Sequence, residues 1–450
     1  MSNKLLHTNT YEWFGEFFNN GNSEKRFPGK LTYTPSSGIE LDVYLTTGMS
    51  DIIKSEDIIH GFVVELGKVS LIGLHYSNPY PFKSPINSSQ FKIRVKSLLS
   101  GIHYVNEKID KCCFSLNSTS DFCAPFGTEE TAFHRSPILT AKTSEYKLQL
   151  HMSATATFID NFVKSHLITD NDKFKKELSD KYQELKGRYP NAQTSLKKNI
   201  EYIFTAKSLR NTLEIKDAFN IINEVKAFFS FIQIKNINPV AIRLYINDTK
   251  VHTLKSLYLN TKSINDITSE TRFNFYDVNI NYIKNFSDTL NKWHTFFSDE
   301  MNLLHEVSHS RNNLSPSSIQ HFLITIAGIE QHISRVFNTT HKCCDIFINE
   351  YATEALIKDI KLNIPPIKNG ESIGKVIADI RNCIVHTNKM KSGGFKRFKD
   401  YINPINIGNL NEVLYGCILI AIFKELGFDE ELQNMFKDNI KHHLLRHISI

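Results

Sequence analysis

The sequence predicts an α+β chain: a β-rich N-terminal domain (residues 1–155), a mixed, mainly helical middle region (156–313) and an all-α bundle (314–450). Three observations carry this reading. Alternating apolar residues separated by turn residues fill 27–150, the period lengthens from about residue 158, and beyond 314 apolar residues recur every three or four positions. A chain of 450 residues is also long for one domain and long enough to bury a sizeable core.

The elements follow in order. Lys30 to Leu45 reads as two strands around the turn Pro35-Ser36-Ser37-Gly38, and His60 to Leu74 as a second pair around Gly67. Phe91 to Val95 and Lys111 to Leu116 continue the pattern, which suggests a sandwich or a strongly bent sheet. Residues 170–187 are helical in pattern and end at Gly187 and Pro190. Leu209 to Phe231 is a long amphipathic helix, Pro239 to Ile246 an isolated strand, and 282–305 helical again. Ser315 then caps a helix with Pro316 in its first turn and one apolar stripe: Ile319, Phe322, Leu323, Ile326, Ile329, Ile333 and Val336. Further helices are expected at 345–361, 371–388, 409–426 and 430–447, separated by Pro365-Pro366 and by Ser392-Gly393-Gly394.

Composition sets bounds on function. A formal charge of +6 suits a polyanionic partner without requiring one. The first residues lack the pattern of a secretory signal, and no run approaches the roughly 20 apolar residues of a membrane span. Cys417 to Phe423 reads as core. Seven cysteines, with Cys112-Cys113 and Cys343-Cys344 vicinal and Cys123, Cys383 and Cys417 apart, make neither a disulfide framework nor a zinc knuckle. The chain reads as a reduced, cytoplasmic protein with no membrane association. The absence of a phosphate-cradling Gly-x-x-x-x-Gly-Lys loop argues against a nucleotide-driven motor.

The segment from Glu371 to Asn388 carries the chemistry. Ile373, Val376, Ile377, Ile380 and Ile384 form its core face, while Asn382 and His386, four apart, share another. Arg381 and His386 stand five apart, about 140° round an ideal helix. They converge only where the helix bends or ends, or where two copies of the chain meet. The residue types suit RNA cleavage. A 2′-hydroxyl beside a phosphodiester is a built-in nucleophile that needs a base, and histidine titrates in the right range. A guanidinium neutralises the charge that develops on the phosphorus oxygens, and no metal is required. The arginine–histidine spacing alone arises by chance about once in such a chain, and Arg335 to His341 is a second match. Requiring Asn directly after Arg lowers the chance expectation to roughly a few hundredths.

A basic stretch follows. Lys389, Lys391, Lys396, Arg397 and Lys399 are interleaved with Phe395, Phe398 and Tyr401, which suits single-stranded RNA through phosphate contacts and base stacking. The plainer alternative is a solvated loop with aromatics tucked beneath it. A competing motif, His305-Glu306-Val-Ser-His309, is the HExxH pattern of zinc proteases. Arg311 and the polar run up to Pro316 count against it, and no usual third-ligand segment follows.

Arg381-Asn-Cys-Ile-Val-His386 within a helical domain resembles the arginine–histidine signature of HEPN ribonucleases, and Gln320 to Ile333 resembles the first helix of that bundle. Phe27-Pro-Gly-Lys-Leu-Thr-Tyr-Thr-Pro-Ser-Ser-Gly-Ile-Glu-Leu41 resembles the opening of the domain that precedes HEPN in ApeA-type anti-phage proteins, and Phe91 to His103 its later strands. The resemblance implies a cofactor-free, metal-independent endoribonuclease of phage defence that works as a homodimer or higher homo-oligomer. It implies Arg381 as phosphate and transition-state binder, His386 as acid–base, Asn382 in support, and Glu330 as an acidic residue that orients His386. Transfer RNA is the candidate substrate, with 2′,3′-cyclic phosphate ends as product. The N-terminal half would sense infection, through a phage-derived activator, or restrain the nuclease. A non-catalytic HEPN scaffold that dimerises or binds RNA is the alternative of a different class.

Overall fold

The computed structural model describes residues 5–46, 58–76, 82–83, 88–123, 137–158, 171–189, 195–210, 213–259, 278, 280–298, 318–386, 396–428, 434, 437 and 440. Seven strands come first: β1 (Tyr11–Asn19), β2 (Phe27–Thr34), β3 (Gly38–Thr46), β4 (Ile58–Val63), β5 (Gly67–Tyr76), β6 (Phe82–Lys83) and β7 (Ser88–Ser100). Six of them close into an antiparallel barrel in the order β3-β2-β1-β4-β5-β7, with β7 returning to β3. The alternation of the strands sets the inside. Trp13, Phe17, Leu31, Tyr33, Leu41 and Val43 point inward while Glu12, Phe14 and Glu16 point out. Gly61 makes room for this filling, since a Cβ there would stand 2.6 Å from the Phe17 ring. Closure removes the unpaired edges an open sheet exposes.

At β7 the sheet divides. Ile39 of β3 pairs with Val95, and beyond that point β13 (Thr249–Lys255) takes over the vacated side, pairing with Ser97 to Ser100. Leu98 therefore faces the barrel core and its neighbour Leu99 a second core. The sheet continues through β12 (Pro239–Ile246), β8 (Lys111–Leu116), β11 (Ser195–Ser208), β10 (Tyr146–Phe158) and β9 (Leu139–Lys142). The short helix α1 (Thr119–Cys123) follows β8, and α2 (Asp172–Arg188) joins β10 to β11. Two helices cover one face: α3 (Ile215–Gln233), which buries Ile222, Val225, Phe228 and Phe229, and α4 (Phe286–Ser298), whose Trp293 packs on Phe231 with ring centroids 5.4 Å apart.

Six helices follow among the described residues: α5 (Ile319–Phe337), α6 (Cys343–Tyr351), α7 (Glu354–Leu362), α8 (Ile373–Val385), α9 (Lys396–Tyr401) and α10 (Pro404–Glu425). Asn403 caps α10, with Pro404 in its first turn. This helix is long and apolar enough to cross a membrane by length and composition, yet it is mostly buried inside the protein. Its Phe423 meets Phe231 of α3 at 6.1 Å, so sheet and bundle share one continuous apolar core.

The α+β class stands, and four local expectations change. The bent sheet is a barrel with an open extension. Pro239–Ile246 is not isolated but lies between β8 and β13. The expected boundary at 155/156 falls inside β10, whose long partner β11 belongs to the expected middle region. The 345–361 helix is two, because Ala352 is extended and Thr353 caps the next helix by accepting from the Leu356 amide. Ser318 caps α5; Ser315, Pro316 and most of 430–447 lie outside the described residues. Alternation marks a strand locally, but its partner is chosen by residues far away in sequence.

Candidate active site

The motif helix α8 is fixed at its start. The Ser372 side chain caps it by accepting from the Lys375 amide and also donates to Asp345 Oδ2 at 2.7 Å. The Gly374 amide donates to Asp345 Oδ1 at 2.8 Å. Glycine is needed here, because a Cβ would lie 2.2 Å from the Asp345 backbone nitrogen. Val376, Ile377, Ile380 and Cys383 then turn into the core, leaving Arg381 and Asn382 at its margin.

Arg381 is half-buried and donates through Nη1 to Asn382 Oδ1 at 2.9 Å. Its Nη2 stands 3.5 Å from Glu330 Oε2 on α5. Glu330 thus lies against Arg381 rather than against His386. The His386 amide donates to the Asn382 carbonyl at 2.9 Å, so the helical ladder runs unbroken to the C-cap. Asn382 and His386 therefore share a face, and Arg381 points about 140° away. The His386 side chain is exposed, with no hydrogen-bond partner among the described residues. One chain brings Glu330, Arg381 and Asn382 together and leaves His386 apart at the helix end.

The basic stretch divides. Lys389, Lys391 and Phe395 lie outside the described residues. Lys396 opens α9, and Lys399 is exposed. Arg397 forms a two-pronged ion pair with Glu371 at 3.2 and 3.0 Å and lies 4.9 Å over the Phe398 ring. The Arg397 guanidinium holds the Glu371 carboxyl below the usual carboxylate range. Phe398 is buried and Tyr401 half-buried; both pack against the bundle core, and Phe398 presents no face for base stacking. For Phe398 the plainer alternative of a tucked ring holds: apolar rings next to a bundle gain more from the core than from solvent.

His305, Glu306 and His309 lie outside the described residues. Among the described residues no group of three or more His, Cys, Asp or Glu could hold a metal ion. The cysteines are free, and burial pushes the Cys112 and Cys344 thiols up to about 12. One polar cluster behind the site was not legible in the sequence. His332 is buried on α5, its Nε2 3.0 Å from the Tyr351 hydroxyl and its Nδ1 3.4 Å from Glu425 Oε1. Burial, then the charge of Arg335, lowers its pKa to about 4. Arg335, the arginine of the second spacing match, pairs with the same Glu425.

The family model described as ApeA N-terminal domain 1 matches residues 12–293, more than half of the chain. That span runs from β1 through the barrel and the open sheet to Trp293 of α4. No curated protein and no solved structure matches the chain. The chain belongs to the ApeA family and with it to the proteins of anti-phage defence.

Proposed function

We propose that the chain is a HEPN-type endoribonuclease of phage defence, cleaving RNA without a metal ion at a site built from Arg381, Asn382 and His386. The observation that supports this most is the Arg381–Asn382 hydrogen bond beside an exposed His386 on the last turn of α8. An imidazole takes the proton of the 2′-hydroxyl, the 2′-oxygen attacks phosphorus, and the bond to the 5′-oxygen breaks. A second proton donor completes the 5′-hydroxyl, leaving a 2′,3′-cyclic phosphate. Arg381 stabilises the anionic oxygens, and Asn382 fixes its guanidinium. Because Arg381 and His386 diverge on one helix, the working site pairs Arg381 of one copy with His386 of another. A homodimer or higher homo-oligomer follows from this. The N-terminal region senses infection, with a phage-derived activator as partner, and transfer RNA is the candidate substrate.

A non-catalytic scaffold is the second reading, favoured by the pairing of Arg381 with Glu330, which already gives the guanidinium a structural partner. Cleavage of RNA in excess chelator separates the two. Wild type cuts, while Arg381→Ala and His386→Ala lose at least about a hundredfold, within the range for loss of a charge-stabilising or acid–base group. Mixing the two inactive variants restores partial activity if the site is shared between copies. Cleavage that persists in both variants removes the assignment. A wild type inert even in infected-cell extract favours the scaffold.

A further inference from the structure

We propose that Lys226 of α3 and Lys255 of β13 form a phosphate-binding site where that helix face meets the end of the strand. Phe219, Asn223 and Lys226 are spaced by four and three residues and so share one face of α3. Lys255, the last residue of β13, reaches this face. Its Nζ lies 5.0 Å from the centre of the Phe219 ring and donates to Asn223 Oδ1 at 3.4 Å. Both lysines are half-buried, and neither pairs with a carboxylate among the described residues. Elsewhere the half-buried Arg397 meets Glu371 with two hydrogen bonds.

Two ammonium groups drawn out of water at one helix face, with no counter-charge among the described residues, are costly to hold. The cost shows in their acidity. Burial and then the charge of Lys255 bring the Lys226 pKa down to about 8, and burial lowers that of Lys255. His7 lies beneath, its Nε2 accepting from the Lys255 amide at 2.9 Å, and burial holds it neutral with a pKa of about 4. It contributes no counter-charge. Because Asn223 Oδ1 accepts from Lys255, its amide NH2 is left as a donor beside the two amines. Three donors carrying two positive charges match the several oxygens and double negative charge of a phosphate better than a single carboxylate. This site does not depend on the nuclease reading.

The test uses the full chain, with inorganic phosphate as the probe and chloride at equal ionic strength as the control. Two readouts are followed: the thermal unfolding midpoint, and the pH dependence of Lys226 acylation read by mass spectrometry. Millimolar phosphate should raise the midpoint by a few degrees and move the Lys226 titration up by about one pH unit. Both effects should vanish in Lys255→Met, and Lys226→Met should lose the stabilisation while being no less stable than wild type without phosphate. Lys226→Arg should keep the stabilisation. A larger response to adenosine 5′-monophosphate assigns a phosphate monoester, and an equal one assigns the free ion. An unmoved Lys226 titration, an equal phosphate response in the Met variants, or a Lys226→Met protein that unfolds would each overturn the proposal.

Discussion

The barrel and the open half of the sheet use the same antiparallel pairing and end differently. In the barrel, β7 returns to β3, so Phe17, Phe27 and Leu41 are sealed by the strands around them. The open half stops at β9 and leaves a face that α3 and α4 must cover. Those helices are apolar on their far side too, and Phe231 passes the contact on to Phe423 of the bundle. A closed sheet completes its own core, whereas an open one recruits whatever follows in the chain. The bundle that carries Arg381 consequently packs on the family's N-terminal region through α10, and an isolated 314–450 segment would expose the apolar face that now meets α3.

Trp293→Ala should break this comparison most strongly. The indole is buried between Phe231, Phe228 and Phe296, and its Nε1 donates to the Glu224 carbonyl at 3.1 Å. Its removal should cost about 3–5 kcal/mol. Hydrogen exchange should show loss of protection in both the sheet and α10 while barrel amides keep theirs. Protection lost in the sheet alone would mean that the two parts do not share a core.

Acid should come next. His7, at the junction of barrel and sheet, and His332, in the bundle, both have folded pKa values of about 4. An unfolded histidine titrates near 6.5, so between pH 6.5 and 4 the unfolded chain binds more protons. Stability is full above 6.5, falls as pH drops through this window and levels off below 4, by about 3 kcal/mol for each histidine. Urea unfolding of His7→Gln and His332→Gln across that range should each remove part of the slope. A slope unchanged in His332→Gln would mean that His332 is not held neutral in the folded bundle.

Gly374→Ala should cost about 1–3 kcal/mol by forcing α8 off Asp345, and it should lower any RNA cleavage through displacement of Arg381. Calorimetry and cleavage on the same preparation test this, and an unchanged melting temperature would contradict it. The smallest effect is expected for Arg397→Lys, which keeps the charge and loses the two-pronged contact with Glu371. Thermal unfolding should change slightly and cleavage in proportion. A cleavage loss far beyond the stability loss would assign Arg397 to the RNA path beyond its pairing with Glu371.

How much was legible depends on how local each signal is. The strands at 27–34 and 38–46 and the start of α8 at Ser372 announce themselves through alternation, turn residues and caps. The candidate set Arg381, Asn382 and His386 could be proposed for the same reason, since all three sit within six residues of one another. Barrel closure was not visible, because it depends on Ile39 to Thr46 finding Ser88 to Val95. The interleaving of basic and aromatic residues left two readings open for Phe398, and its burial is the plainer of them.

The sequence by itself determined the α+β class, the motif helix and the kind of chemistry its residues suit, because periodicity, capping and residue type act over a few positions. Only the tertiary structure decided that the sheet closes on one side and shares its core with the bundle on the other. It also turned Glu330 toward Arg381, tied Arg397 to Glu371 and set Lys255 against Asn223 on the helix that carries Lys226. These pairings join residues 26 or more positions apart, and nothing local specifies them. They are fixed when apolar faces are buried together and the charged groups carried with them take the partners, or lack the partners, that packing leaves them.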